Sequence, residues 1–115
     1  MDLVGPLKFS HSDQFFELGR YRYYPELYTL VFREKEILLS RKEGEVLAIL
    51  ATHANQVVPR EQIDKQVWED RGVVVGRSLD TFISKLRKRL QEDQSIRLTN
   101  VHGVGYKLEA PVPSK

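Results

Sequence analysis

The hydrophobic period of this chain changes between Leu39 and Ser40, and that change constrains the fold more than any other feature. From Phe15 to Leu39, short runs of apolar and aromatic residues alternate with polar ones, which is typical of antiparallel strands with one packed face. After Ser40, apolar residues recur every three or four positions, as they do along one face of a helix. The order predicts an α+β domain in which a small sheet precedes the helices.

Three helices are predicted after this change. Ser40 and Glu43 have the spacing of a capping box, so the first helix begins there. Pro59 suits the first turn of a second helix over PREQIDKQVW. The third is predicted at about residues 77–90, where one apolar stripe runs along Leu79, Ile83, Leu86 and Leu90.

The third predicted helix carries an unbalanced positive charge. Residues 76–90 hold five basic residues and one acidic residue, a net charge of +4, whereas the whole chain has +2. The side opposite the stripe is polar and partly basic. This face predicts contact with a polyanion, with a merely solvated basic helix as the alternative.

The segment NVHGVGYKL, residues 100–108, predicts a tight β-hairpin. Its Gly-Val-Gly lacks the following helix and lysine of a phosphate-binding loop. Gly103 and Gly105 instead suit a corner that needs a positive φ or close backbone approach. Val101 and Tyr106 would anchor the two strands. Three helices followed by this hairpin form a winged-helix arrangement.

The composition and spacing argue against several other classes of function. There are no cysteines, so disulfides, thiolate nucleophiles and cysteine-based zinc sites are excluded. The histidines are scattered, and nothing near Ser40 would activate it as a nucleophile. The longest apolar run, VLAILA, is far shorter than the roughly 20 residues of a membrane span, and the N-terminus does not resemble a signal peptide. We therefore expect a cytoplasmic, non-enzymatic domain with no cofactor, metal or membrane contact.

Four separated motifs resemble the C-terminal effector domain of OmpR/PhoB-type response regulators. They keep the order and spacing of that family over about residues 15–110. The resemblance implies a winged helix-turn-helix fold with an N-terminal four-stranded antiparallel sheet, three helices and a C-terminal β-hairpin wing. Residues 1–14 would then be a leader or interdomain linker, and residues 111–115 a frayed tail. The motifs are Glu43-x-x-x-Leu47, Arg60-Glu61-Gln62 with Val67-Trp68, Arg77-Ser78-x-Asp80 leading to Leu86-Arg87-Lys88, and Gly103-x-Gly105-Tyr106.

The resemblance implies a sequence-specific transcription regulator that binds double-stranded DNA, the effector domain of a two-component response regulator. The helix at 77–90 would enter the major groove, and the wing at 96–109 would lie near the minor groove. Direct-repeat half-sites, a head-to-tail dimer on DNA and contact of the loop 69–76 with RNA polymerase are also implied. The family's receiver domain is absent from this chain, so we expect a fragment of a longer regulator. A winged-helix protein-interaction module of the transcription machinery is the alternative.

The candidate DNA contacts form three groups. Base-facing candidates are Thr81, Ser84, Lys85 and Lys88. Phosphate candidates are Trp68, Arg77, Ser78 and Arg87. Wing candidates are Asn100, His102, Gly103 and Lys107.

Several of these roles have alternatives or depart from the family pattern. Trp68 suits either a phosphate contact or partial burial in the core. Asp80, which phosphate repels, is expected to orient Arg77 or a neighbouring side chain rather than to contact a cytosine amine. Arg87 and Arg89 suit either phosphate contacts at the edge of the groove or surface ion pairs, and the surface ion pair is favoured for Arg89. The family often has arginine at the positions of Ser84 and Lys85, so this chain has less capacity for bidentate recognition of guanine. The family also often has a hydroxyl cap at Pro59 and arginine or lysine at His102.

Overall fold

The computed structural model describes residues 14–67 and 76–111, with side chains from Leu79 onward in the second range. The predictions for Trp68 and for most of the loop 69–76 therefore lie outside the described residues. A turn of 3-10 helix at Pro25–Leu27 connects the second and third strands. The strands and helices are β1 (Phe16–Leu18), β2 (Tyr21–Tyr24), β3 (Thr29–Phe32), β4 (Lys35–Leu38), α1 (Arg41–Thr52), β5 (Val57–Pro59), α2 (Arg60–Val67), α3 (Gly76–Arg89), β6 (Arg97–Val101) and β7 (Gly105–Glu109).

The first four strands form an antiparallel sheet in the order β1-β2-β3-β4. Its inward face carries Tyr21, Tyr23 and Leu30, which are fully buried against the helices. Alternation in the sequence encodes this arrangement, because successive side chains of a strand point to opposite faces. The predicted four-stranded sheet is confirmed.

Helix α1 begins with the predicted capping box. Ser40 Oγ accepts a hydrogen bond from the Glu43 amide at 3.2 Å, and the Ser40 amide donates to Glu43 Oε1 at 3.0 Å. The Glu43 side chain is buried, and Arg89 Nη2 at the end of α3 lies 3.6 Å from the same Oε1. Arg89 therefore does not form the ordinary surface ion pair that we predicted, since its partner is buried. The cap of α1 also attaches that helix to α3.

Helix α3 packs on the core through the predicted stripe. Leu79, Ile83, Leu86 and Leu90 are all buried, and Phe82 packs beside them. The helix begins at Gly76, slightly earlier than predicted, and ends at Arg89. Burial of this stripe directs the opposite face of α3 to the outside.

The C-terminal hairpin is part of a three-stranded sheet with the order β5-β7-β6. Strand β5 was not predicted. It contains Pro59, so this residue ends a strand and the second helix begins at Arg60, one residue later than the sequence suggested. The pairing attaches the central strand of the wing to the start of α2 through main-chain bonds.

Candidate nucleic-acid interface

The outward face of α3 displays the four base-facing candidates together. Thr81, Ser84, Lys85 and Lys88 are all exposed. Lys85 Nζ lies 5.4 Å from the ring centroid of Phe82, so the aromatic ring supports the lysine stem. Arg77 and Ser78 lie in the first turns of α3, but their side chains are outside the described part of the chain.

The same basic surface continues from α3 towards the N-terminal sheet. Lys35 on β4 lines a cleft of about 390 Å³ together with Lys85, Lys88 and Arg89. Glu43, paired with Arg89, and Glu92 are the acidic residues of the cleft lining. The positive surface is therefore wider than the helix that the sequence singled out.

Arg87 joins α3 to the wing. Its Nε donates a hydrogen bond to the carbonyl oxygen of Leu98 on β6 at 2.9 Å, although the residue as a whole is exposed. The Nε of its guanidinium is therefore already hydrogen-bonded within the protein. The predicted phosphate contact would have to come from the terminal nitrogens.

Asp80 interacts with the wing and with α2. Tyr106 on β7 is 3% exposed, and its hydroxyl donates a hydrogen bond to Asp80 Oδ1. Arg60 Nη2 lies 3.1 Å from the same oxygen, and Arg60 Nη1 donates to the Tyr106 hydroxyl at 3.2 Å. We predicted that Asp80 orients Arg77 or a neighbouring side chain. The partners that the structure describes are distant in sequence, so local helical geometry gave no indication of them.

The electrostatics of this group keep Asp80 ionised. The hydrogen bond from Tyr106 lowers the pKa of the Asp80 carboxyl, desolvation opposes that shift, and Arg60 adds to it. Burial is the main reason that the pKa of Tyr106 is raised, and its bond to Asp80 raises it further. The tyrosine thus remains a neutral donor and the aspartate a charged acceptor.

The two glycines of the wing turn have different roles, and both match the predicted hairpin corner. Gly103 has a φ of +78°, and a Cβ there would contact nothing within 4 Å. At Gly105 a Cβ would overlap the carbonyl oxygen of Val58 on β5. The Arg60 amide also donates to the carbonyl of Val104 at 3.0 Å. One glycine therefore allows the turn, and the other allows β5 to approach β7.

The wing candidates do not form one surface. Asn100, His102 and Gly103 are exposed and line a groove of about 300 Å³ with Arg60. Lys107 is half-buried, lies opposite Thr99 in the register, and pairs with Glu109 at 3.3 Å. Because Asn100 pairs with the neighbouring position of β7, it faces the other side of the sheet. Alternation within the hairpin would have predicted this separation.

The described part of the chain holds neither a cluster of metal-ligating side chains nor a membrane-spanning helix. In residues 14–67 and 76–111, no group of three or more metal-ligating side chains is placed to hold an ion. No helix in these ranges combines the length and apolarity needed to cross a membrane.

Comparison with known proteins agrees with the fold. Residues 34–108 match the family model described as "Transcriptional regulatory protein, C terminal". The chain is 38% identical over 98 residues to the transcriptional regulatory protein RprY of Bacteroides fragilis (strain YCH46), covering 85% of this chain and 42% of RprY. It is 31% identical over 96 residues to the alkaline phosphatase synthesis transcriptional regulatory protein PhoP of Bacillus subtilis (strain 168), covering 82% of this chain and 40% of PhoP. The chain thus spans about two-fifths of the length of these curated relatives.

Solved structures of related domains superpose on most of the chain. The DNA-binding domain of CpxR from E. coli gives a TM-score of 0.73 at 25% identity, covering 84% of this chain and 97% of that one. The DNA-binding domain of Klebsiella pneumoniae RstA, solved in complex with the RstA box, gives 0.68 at 29% identity with coverages of 84% and 97%. Sequence match and fold together show that the chain belongs to the C-terminal domains of transcriptional regulatory proteins, the winged helix-turn-helix effector domains of OmpR/PhoB-type response regulators.

Proposed function

We propose that this chain binds specific sequences of double-stranded DNA and regulates transcription as the effector domain of a two-component response regulator. The observation that carries the proposal is the exposed polar and basic face of α3, opposite its buried stripe. Domains of the same fold have been solved with DNA, namely RstA with the RstA box and the AdeR DNA-binding domain with an intercistronic region. Helix α3 enters the major groove, and the wing approaches an adjacent minor groove.

The side chains of α3 suit the chemistry of base edges. Lys85 donates to O6 and N7 of guanine, Thr81 offers a methyl group and a hydroxyl, and Ser84 bonds to either kind of edge. Lys88 adds a further donor on the same face. A lysine cannot form the planar bidentate contact of an arginine, so discrimination for guanine is weaker than an arginine would give.

The phosphate and wing contacts position the domain on the duplex. Trp68, Arg77, Ser78 and the terminal nitrogens of Arg87 contact phosphates in this proposal. At the wing, Asn100 and His102 approach the minor groove, and Gly103 leaves room for the backbone to come close. Lys107 lies on the other face of the wing and would meet a different phosphate. A histidine at 102 gains less from the groove's negative potential than an arginine would.

The test begins with selection of bound sequences from a random DNA pool, followed by fluorescence anisotropy on the selected duplex. Lys85→Ala and Thr81→Ala should each weaken specific binding, Lys85→Ala by about fivefold or more, because a good bidentate base contact provides roughly 1–3 kcal/mol of discrimination and a lysine contact falls towards the lower end of that range. Binding should also weaken log-linearly as salt rises.

Arg22→Ala is the matched control. It removes one exposed positive charge from the N-terminal sheet, where Arg22 lies on the face opposite the buried Tyr21 and Tyr23. Its affinity should stay close to that of the wild type. Unchanged affinity in both α3 variants would overturn the proposal in favour of a protein-interaction module.

The assembly on DNA is proposed on the family pattern alone. Two copies occupy direct-repeat half-sites head to tail, in the cytoplasm, and the loop 69–76 meets RNA polymerase. Duplexes with one or two selected half-sites at varied spacing test the dimer, because only a direct repeat with the correct spacing should bind cooperatively. Equal affinity per half-site at all spacings would contradict it.

A further inference from the structure

We infer that Tyr106, Asp80 and Arg60 form a brace that sets the position of the wing relative to α3, and thereby couples the contacts of the two elements with DNA. The coupling rests on the proposed function, whereas the positioning is a property of the free protein. The three residues, called the wing brace below, come from β7, α3 and α2.

The geometry of the brace is that of a positioning device. The Tyr106 ring is buried, so its hydroxyl has a defined place at the core boundary. That hydroxyl and Arg60 Nη2 both reach Oδ1 of Asp80, whose side chain is 59% exposed. A buried ring therefore holds an exposed carboxylate of α3, next in sequence to the proposed base contact Thr81.

The brace adds side-chain bonds between α3 and a unit that main-chain bonds hold together. Strand β5 leads directly into α2 and pairs with β7, and the Arg60 amide bonds the wing turn, so the wing and α2 form one hydrogen-bonded unit. The side-chain bonds of Asp80 and Arg87 join α3 to this unit alongside apolar packing. These two positions are seven residues apart, about 10 Å along a helix. Two links at separate points fix the angle of α3 relative to the wing, whereas a single link would allow α3 to rotate about it.

Charge also supports a role beyond packing. A carboxylate next to the proposed base contact Thr81 would repel phosphate, and Arg60 at 3.1 Å offsets that charge. A phenylalanine at 106 would fill the same apolar space but would lose the hydrogen bond between the wing and Asp80 of α3, leaving the Arg87 bond to Leu98. The hydroxyl therefore serves the relative placement of two DNA-contacting elements.

The first test measures the free protein. Tyr106→Phe should accelerate amide hydrogen exchange in the wing turn, residues 101–105, by about fivefold, the factor expected for loss of one hydrogen bond. Asp80→Asn keeps an oxygen that accepts from Tyr106 but loses the ion pair with Arg60, so its effect should be smaller. Because Asp80 is exposed, this second variant tests the brace without disturbing the core.

Tyr21→Phe is the matched control. The Tyr21 hydroxyl is also on a buried ring, and it accepts a hydrogen bond from the Glu92 amide at 3.1 Å, far from the wing turn in the fold. Its loss should lower the Tm without selectively accelerating exchange at residues 101–105. Equal acceleration of the wing turn in both variants would reduce Tyr106 to a structural role and overturn the brace.

The second test is a double-mutant cycle on the selected duplex. His102→Ala should weaken binding in the wild-type background and weaken it less in Tyr106→Phe, since a loosened wing already contributes less. Additive effects would refute the coupling, and so would a His102→Ala variant that binds normally. If Lys85→Ala and Thr81→Ala bind like the wild type, the proposed function fails, while the exchange comparison still decides the brace independently.

Discussion

Replacing Gly105 by alanine should destabilise the domain far more than the same change at Gly103, although the two residues flank one turn. The added Cβ at 105 would overlap the carbonyl oxygen of Val58 and lie 2.8 Å from the Arg60 nitrogen and 2.9 Å from Pro59 Cα. All three obstacles are main-chain atoms, so no side chain can rotate away. Strand β5 would have to move off β7.

The magnitudes follow from these contacts. Overpacking costs about 1–3 kcal/mol, and each ladder hydrogen bond lost between β5 and β7 costs about 1 kcal/mol more. We therefore expect Gly105→Ala to lower the free energy of unfolding by about 3 kcal/mol or more. Gly103→Ala meets no atom within 4 Å and is disfavoured only by its φ of +78°, which costs about 1–2 kcal/mol.

Urea unfolding followed by far-UV circular dichroism separates the two outcomes. With a slope of about 1–3 kcal/mol per molar urea, the midpoint should fall by more than about 1 M for Gly105→Ala and by clearly less for Gly103→Ala. Both proteins should keep the same slope if only stability changes. Equal midpoints would show that β5 yields easily, and the close approach of β5 and β7 would then not be a constraint.

Three further outcomes are expected. Ser40→Ala should lower the free energy of unfolding by about 1 kcal/mol through loss of the α1 cap, and Ser40→Thr should restore most of it; no loss in urea unfolding would contradict the cap. Hydrogen bonds from the Ser95 hydroxyl and from the amides of Ser95 and Arg20 lower the pKa of buried Asp93. The ionised carboxylate therefore stabilises the fold above about pH 4, and this stabilisation is lost as the pH falls towards the folded pKa. Asp93→Asn should flatten that acid limb in thermal unfolding, and an unaltered pH profile would refute the assignment. His102→Arg should tighten binding to the selected duplex in anisotropy at physiological salt, and the absence of any gain would count against a groove contact.

The helices and the N-terminal strands were predictable because their signals are local. A capping box needs only Ser40 and Glu43, and the stripe on α3 repeats every three or four residues. Strand alternation is likewise contained in a few neighbouring residues. Strand β5 has no such signal, since its three residues VVP become a strand only by pairing with β7, far along the chain.

The candidate interface likewise has some features with local sequence signals and others that depend on contacts between distant residues. Helical periodicity alone placed Thr81, Ser84, Lys85 and Lys88 on the exposed face, because it specifies which side of α3 is buried. Alternation within the hairpin also places Asn100 and Lys107 on opposite faces, because their positions pair with neighbouring residues of the partner strand. The partner of Arg89 is buried by the packing of α1 on α3, which no spacing indicates.

By itself, the sequence determined where α1 starts, which face of α3 is exposed, and that the wing turns at two glycines, since all three depend on residues within a few positions of each other. The tertiary structure decided which residues of those elements contact each other. It brought Tyr106 and Arg60 to Asp80, Arg87 to the carbonyl of Leu98, and Val58 against Gly105. These contacts join residues distant in the chain, and their geometry exists only after the core has packed α2, α3 and the wing together.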